Sequence, residues 1–145
     1  MISDYIVAVT LAEADIKKAV TLSDRWIDHG KELYMSAGYS CYCWLLGSRK
    51  DSEFNDNKLE GMLDIIKDSI HDCPARAKYA MNNFVTTVGV SYLPLHDKAL
   101  VTAKSIGRVE VLRDGKEISV PVAYDEIQKA AAKSRLGFKR RYVRC

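Results

Sequence analysis

Ile16-Lys17-Lys18-Ala19-Val20-Thr21-Leu22-Ser23-Asp24-Arg25-Trp26-Ile27 and, 43 residues further on, Leu59-Glu60-Gly61-Met62-Leu63-Asp64-Ile65-Ile66-Lys67-Asp68-Ser69-Ile70 carry apolar side chains at matching places. Ile16 aligns with Leu59, Ala19 with Met62, Val20 with Leu63 and Ile27 with Ile70, and the same shift carries on to Ala37 and Ala80. Within each stretch the apolar residues fall mostly three and four apart, which places them along one face of a helix. The match is one of residue class rather than identity. It predicts two helix pairs built on one plan.

Boundary signals frame these helices. Thr10 followed by Glu13 reads as a capping box and Gly30 as the stop of a helix over Thr10–His29. Lys31–Leu46 is apolar on most sides (Leu33, Tyr34, Ala37, Cys41, Trp44 and Leu45), so a second helix there should be well buried. Asn57 with Glu60 three residues on reads as another capping box, opening a helix whose core face is Leu59, Met62, Leu63, Ile66 and Ile70. Pro74 suits the start of a fourth helix, to about Tyr92, because its missing N–H is not needed in a first turn. A shorter helix from about His96 to Ser105 follows Pro94. A period of 43 in paired helices lies in the range of HEAT-type repeats, each of which must stack on a neighbour to bury its apolar face. Residues 1–106 are therefore expected to form HEAT-like repeats, an α-α superhelix.

The helical period breaks at Gly107. Val109, Val111, Ile118 and Val120 alternate with polar residues around Arg113-Asp114-Gly115-Lys116. Asp-Gly between such runs signals a hairpin with a type I′ turn, expected over about Arg108–Val120. Tyr124–Ser134 reads as a last helix before Gly137 and a basic tail, and 107–145 should pack as part of the same domain. The expected fold is mainly α with one small hairpin.

With 145 residues, 48% hydrophobic and 28% charged, the chain has the make-up of one globular domain and can bury enough apolar surface to exclude disorder. Its longest apolar runs, such as Ile6–Val9 and Cys43–Leu46, are far short of a membrane span. Met1-Ile2-Ser3-Asp4 does not open like a signal peptide. Cys41, Cys43, Cys73 and Cys145 fit neither a CxxC motif nor a zinc knuckle and are expected as free thiols in the cytoplasm. The scattered His29, His71 and His96 add no metal-ligand set, and no metal or other cofactor is expected.

The net charge of +3 hides an asymmetry. Residues 1–73 hold 8 Lys/Arg against 13 Asp/Glu, whereas residues 74–145 hold 14 against 6. The last 17 residues, Lys129–Cys145, contain seven basic side chains and no acid. Such a tail attracts polyanions, which makes nucleic acid the first partner to consider.

Catalytic motifs are absent: the glycines are isolated and there is no HExxH. Asp24 and Asp28, like Asp64 and Asp68, stand four apart on one helix face, a spacing better explained as surface decoration than as acid–base machinery. Asn82-Asn83 lies inside an apolar helix, where a buried amide needs a partner. It is either a tie between neighbouring repeats or, with Arg76 and Lys78 a turn or two earlier, a contact to a phosphate or base. Trp26, Tyr34, Tyr39, Tyr42 and Trp44 read mainly as core, although rings on a concave face can also stack on a base.

Three segments carry a resemblance. Lys78-Tyr79-Ala80-Met81-Asn82-Asn83-Phe84-Val85, Lys104-Ser105-Ile106-Gly107-Arg108-Val109-Glu110-Val111 and Gly137-Phe138-Lys139-Arg140-Arg141-Tyr142-Val143-Arg144-Cys145 resemble the C-terminal part of the bacterial DNA alkylation repair proteins, the AlkD-related, HEAT-like family of alkylpurine DNA glycosylases. Leu33–Leu46, with Ala37-Gly38 inside it, resembles an inner helix of the preceding repeat. The resemblance implies a superhelix with a basic concave surface that grips duplex DNA by its phosphates. In the active relatives a carboxylate and aromatic rings stabilise the sugar cation that develops during base excision.

Residue by residue, the family's catalytic Asp falls at about Met1, its DNA-contacting Arg at Ser36, and its second catalytic Trp at Asn82 or Asn83. The resemblance therefore implies DNA binding without glycosylase activity of this polypeptide alone, through Arg76, Lys78, Asn82, Asn83, Lys139, Arg140, Arg141 and Arg144. The alternative is a protein-interaction scaffold, a common use of helical repeats. An apolar face around Tyr5, Ile6 and Val9 would further favour a homodimer through the N-terminal helix.

Overall fold

The computed structural model describes residues 15–139. Six α-helices run through them: α1 (Ile16–His29), α2 (Glu32–Ser48), α3 (Asp56–Ser69), α4 (Ala75–Ser91), α5 (His96–Ile106) and α6 (Ala123–Ala132). A two-stranded antiparallel ribbon, β1 (Val111–Arg113) and β2 (Lys116–Ile118), separates α5 from α6. No helix of the described residues is long and apolar enough to cross a membrane.

The repeat is realised in the inner helices. Both α2 and α4 are 17 residues long, and their first and last residues lie 43 apart, as the apolar period requires. They form the most extensive helix–helix interface, with α1 packed on α2 and with α5 and α6 packed on α4. Phe84 of α4 sits at its centre, its ring meeting Tyr39 edge-on at 5.6 Å and Tyr42 at 6.0 Å between centroids. All three rings are buried, and so are Leu45, Leu46, Leu63, Ile66 and Val88. Removing each from water contributes about 1.5–3 kcal/mol, shared among the α2–α4 seam, the contact of α2 with α1 and the inner face of α3.

Three boundaries differ from the sequence reading. Helix α1 is capped by Asp15, whose carboxylate accepts from the Lys17 and Lys18 amides at 2.9 and 3.4 Å; the Thr10–Glu13 box lies outside the described residues. Gly30 ends the helix as expected, with φ of +78°. Helix α3 is capped by Asn55 rather than Asn57, through a bond from the Lys58 amide to its side chain at 3.2 Å. Starting two residues early puts Asp56 in the first turn, where the helix dipole favours an acid. The paired strands are also shorter than the expected Arg108–Val120 hairpin. Its turn is the one foreseen, since Asp114 and Gly115 take φ of +52° and +77°, the left-handed values that a type I′ turn demands.

One member of each acidic pair, Asp24 and Asp64, ties neighbouring helices together from the surface. The Asp24 carboxylate accepts from the Tyr42 hydroxyl and pairs with Lys58, binding α1 to both α2 and α3. Asp64 pairs with Lys98 at 2.7 Å across α3 and α5. Tyr92 likewise donates to Asp56. Burial first, then the neighbouring carboxylate, raises the pKa of Tyr42 and of Tyr92 above the usual phenol value. The N-terminal face around Tyr5, Ile6 and Val9, on which the homodimer expectation rests, lies outside the described residues.

Candidate nucleic-acid interface

A groove of about 1220 Å³ runs between the inner helices, under the hairpin and past the segment after α6. Its floor is one stripe from each helix. Helix α2 contributes Glu32, Ser36, Ser40, Cys43, Trp44 and Gly47, and α4 contributes Arg76, Tyr79, Asn83, Thr86, Thr87 and Val90. The three- and four-residue spacing places each set on one helix face. Ser36 and Tyr79, Ser40 and Asn83, and Trp44 and Thr87 hold equivalent places 43 residues apart.

Two side attachments fix the ends of the groove. At the N-terminal end of α4, the Lys78 ammonium donates to the Glu110 carbonyl at 3.2 Å, holding the base of the hairpin beside Arg76. The hairpin then adds Leu112 and Arg113 to the wall. At the other end, the Gly137 amide donates to the Val90 carbonyl at 2.6 Å. The Lys139 ammonium donates to the Leu46 carbonyl at 2.5 Å and pairs with Asp51 at 2.8 Å. Neighbouring residues of one strap thus reach the C-terminal ends of both inner helices, so the two helices run parallel. The strap also presents Arg135 and Phe138 to the groove.

Desolvation pushes the Cys43 thiol in the groove wall up to about 12, and burial raises Cys41 in the same direction. These are protonated, poorly nucleophilic thiols rather than reactive ones.

A solved structure superposes on all of this chain with a TM-score of 0.93 and 56% sequence identity, this chain covering 61% of that one. It represents a new family of proteins related to the HEAT-like repeat DNA glycosylases, with affinity for branched DNA structures. The present chain is a HEAT-like relative of those glycosylases. Two curated relatives of uncharacterised function, one from Listeria innocua and one from Listeria monocytogenes, are each 32% identical to it over 114 residues. That match takes in 77% of this chain and 47% of each relative, so the chain spans about half their length. No family model matches.

The residues expected to contact DNA divide once placed on this HEAT-like relative. Arg76 and Asn83 line the groove. Asn82 does not: it is 1% exposed and its amide donates to the Pro121 carbonyl at 2.9 Å. Successive residues of a helix point about 100° apart, so only one of two adjacent amides can face the groove. Asn82 instead ties α4 to the segment entering α6. Lys139 is engaged within the protein, pairing with Asp51 and donating to the end of α2, with its ammonium 5.9 Å from the Phe54 ring centroid. Lys78 anchors the hairpin. Arg140, Arg141 and Arg144 lie outside the described residues.

The sequence reading missed Arg113, Arg135 and Tyr79, all in the groove wall. Tyr79 alone belongs to the stripe that recurs 43 residues apart on α2 and α4; Arg113 and Arg135 stand on the hairpin and the strap, outside the repeat. Ser36, where the active relatives are expected to carry an Arg, is buried at 3% exposure in the groove floor. The place expected for the catalytic Asp, at about Met1, is outside the described residues.

Proposed function

We propose that this chain is a DNA-binding HEAT-like domain that holds branched DNA in the groove between α2 and α4 and carries no base-excision chemistry of its own. The observation that carries the reading is the 56% identity, along the whole chain, to a protein with affinity for branched DNA. The groove supports it with arginines on three separate elements, Arg76 on α4, Arg113 on the hairpin and Arg135 on the strap. Guanidinium groups suit phosphate oxygens because their planar fork of donors matches them. Arg140, Arg141 and Arg144 would add charge beyond the strap. A role in DNA repair, in the cytoplasm, follows from the same reading.

Fluorescence anisotropy with a labelled four-way junction and a duplex of equal arm length tests it. If Arg76, Arg113 and Arg135 each neutralise one phosphate, affinity should fall about 40-fold between roughly 50 and 200 mM salt. The junction should bind more tightly than the duplex. Absence of binding to either at low salt would refute the reading.

A further inference from the structure

The groove is poorly matched to a duplex backbone. Of its lining side chains only three are cations, and Glu32 and Asp114 are acids, so its net charge is close to neutral. A protein that tracks a duplex relies on a row of phosphate contacts. Between the arginines the floor is uncharged: Ser40, Asn83, Thr86 and Thr87 offer hydroxyl and amide groups. The aromatic side chains are concentrated at the two ends. Tyr79, 43% exposed, stands one turn beyond Arg76 at the N-terminal end. Trp44, half-buried with part of its side chain packed on Ala19, Cys41 and Leu45, lines the groove towards the C-terminal end, and Arg135 of the strap lines the same groove. Because α2 and α4 are parallel and in register, the eight-residue difference between Ser36, the equivalent of Tyr79, and Trp44 separates the rings by about 12 Å along the helix axes.

An aromatic ring beside an arginine is the arrangement that binds an unpaired nucleotide, the ring stacking on the base and the guanidinium meeting the phosphate. Two such stations about 12 Å apart match three or four nucleotides at the ~3.4 Å rise of a stacked strand. We infer that the groove takes a short unpaired stretch of the DNA, the kind a branch point exposes, with bases on Tyr79 and Trp44 and backbone on Arg76 and Arg135. This inference rests on the DNA-binding reading above and names the part of a branched molecule that the groove selects.

Two measurements on the full chain test it. The first compares a fully paired four-way junction with the same junction carrying four unpaired thymidines at its centre, using the natural protein, Tyr79→Ala and Tyr79→Phe. The unpaired junction should bind on the order of tenfold more tightly. Tyr79→Ala should abolish that preference and Tyr79→Phe keep it, while all three proteins show the same helical circular dichroism. The second uses Trp26→Phe, which leaves Trp44 as the chain's single tryptophan. Adding oligothymidine should quench its emission. Equal affinity for both junctions, with Tyr79→Ala unchanged and no quenching, would overturn the inference and leave the DNA-binding reading standing. Failure to bind either junction at low salt would overturn both.

Discussion

Helices α2 and α4 share length, register and a place in the groove floor, yet their surroundings differ. Among the described residues, helix α2 packs chiefly on α1 and on α4, whereas α4 is covered by α2, α5, α6 and the hairpin. Their side chains reflect this. At the seam α2 offers the large rings of Tyr39 and Tyr42, and the equivalent α4 positions hold the smaller Asn82 and Val85, with Phe84 between them filling the space the two rings leave. A repeat thus transmits a register and a face. It does not transmit an environment, because each unit's stability depends on its nearest neighbours.

The largest test of this comparison is Phe84→Ala. If α2 and α4 share one interface, removing its central ring should destabilise the whole domain by about 3–5 kcal/mol in a single cooperative urea transition. A biphasic transition would mean that the two repeats unfold separately.

Glycines sharpen the contrast. Gly38 of α2 and Gly89 of α4 are both places where another helix comes too close for a side chain. At Gly38 a Cβ would lie 2.7 Å from the backbone oxygen of Ser23, whereas at Gly89 it would meet the side-chain end of Ile127 and lie 3.3 Å from the Ala99 Cβ. A backbone carbonyl within a helix cannot step aside, but an isoleucine tip can be shortened. Gly38→Ala should therefore cost about 2–3 kcal/mol and Gly89→Ala about 1 kcal/mol. Ile127→Val should recover part of the second loss, because it removes the Cδ1 methyl but leaves a methyl at the Cγ1 position, and none of the first, as read from denaturant midpoints.

The smallest effect concerns the outer helices. Hydrogen bonding to Lys98 holds Asp64 below the usual carboxylate range. A carboxylate with a lowered folded-state pKa contributes stability above its unfolded value, which is lost as the pH falls through the folded one. The natural protein should accordingly lose a small, salt-screened increment of stability below about pH 4 that Lys98→Met lacks. Because both side chains are substantially exposed, Tyr42→Phe, which strips the half-buried Asp24 of a buried partner, should exceed it at neutral pH.

The architecture was legible because burial acts on every residue of a repeat and leaves a period. Ile16 with Leu59 and Ala37 with Ala80 record that period directly, and Asp114-Gly115 records a turn with few other solutions. The groove was harder to read. Ser40, Thr86 and Thr87 are unremarkable in a helix, and they gain meaning only when two parallel helices place them on one surface. Nor does a count of cations tell which are already paired. Lys139 and Arg135 look alike in the tail, but one is neutralised by Asp51 and the other opens to the groove. Asn82 and Asn83 differ by a single helical step, and only knowledge of the face toward Pro121 separates them.

Lys139, tied to Asp51 and to the end of α2, fixes the place from which the following basic residues depart. Six residues follow it, including Arg140, Arg141 and Arg144, and they span at most about 20 Å. If DNA lies between α2 and α4 as proposed, those arginines would meet it as an intramolecular event, at an effective concentration on the order of millimolar, whatever the protein's own concentration. On that proposal Lys139 would act by where it ties the chain down more than by the charge it carries.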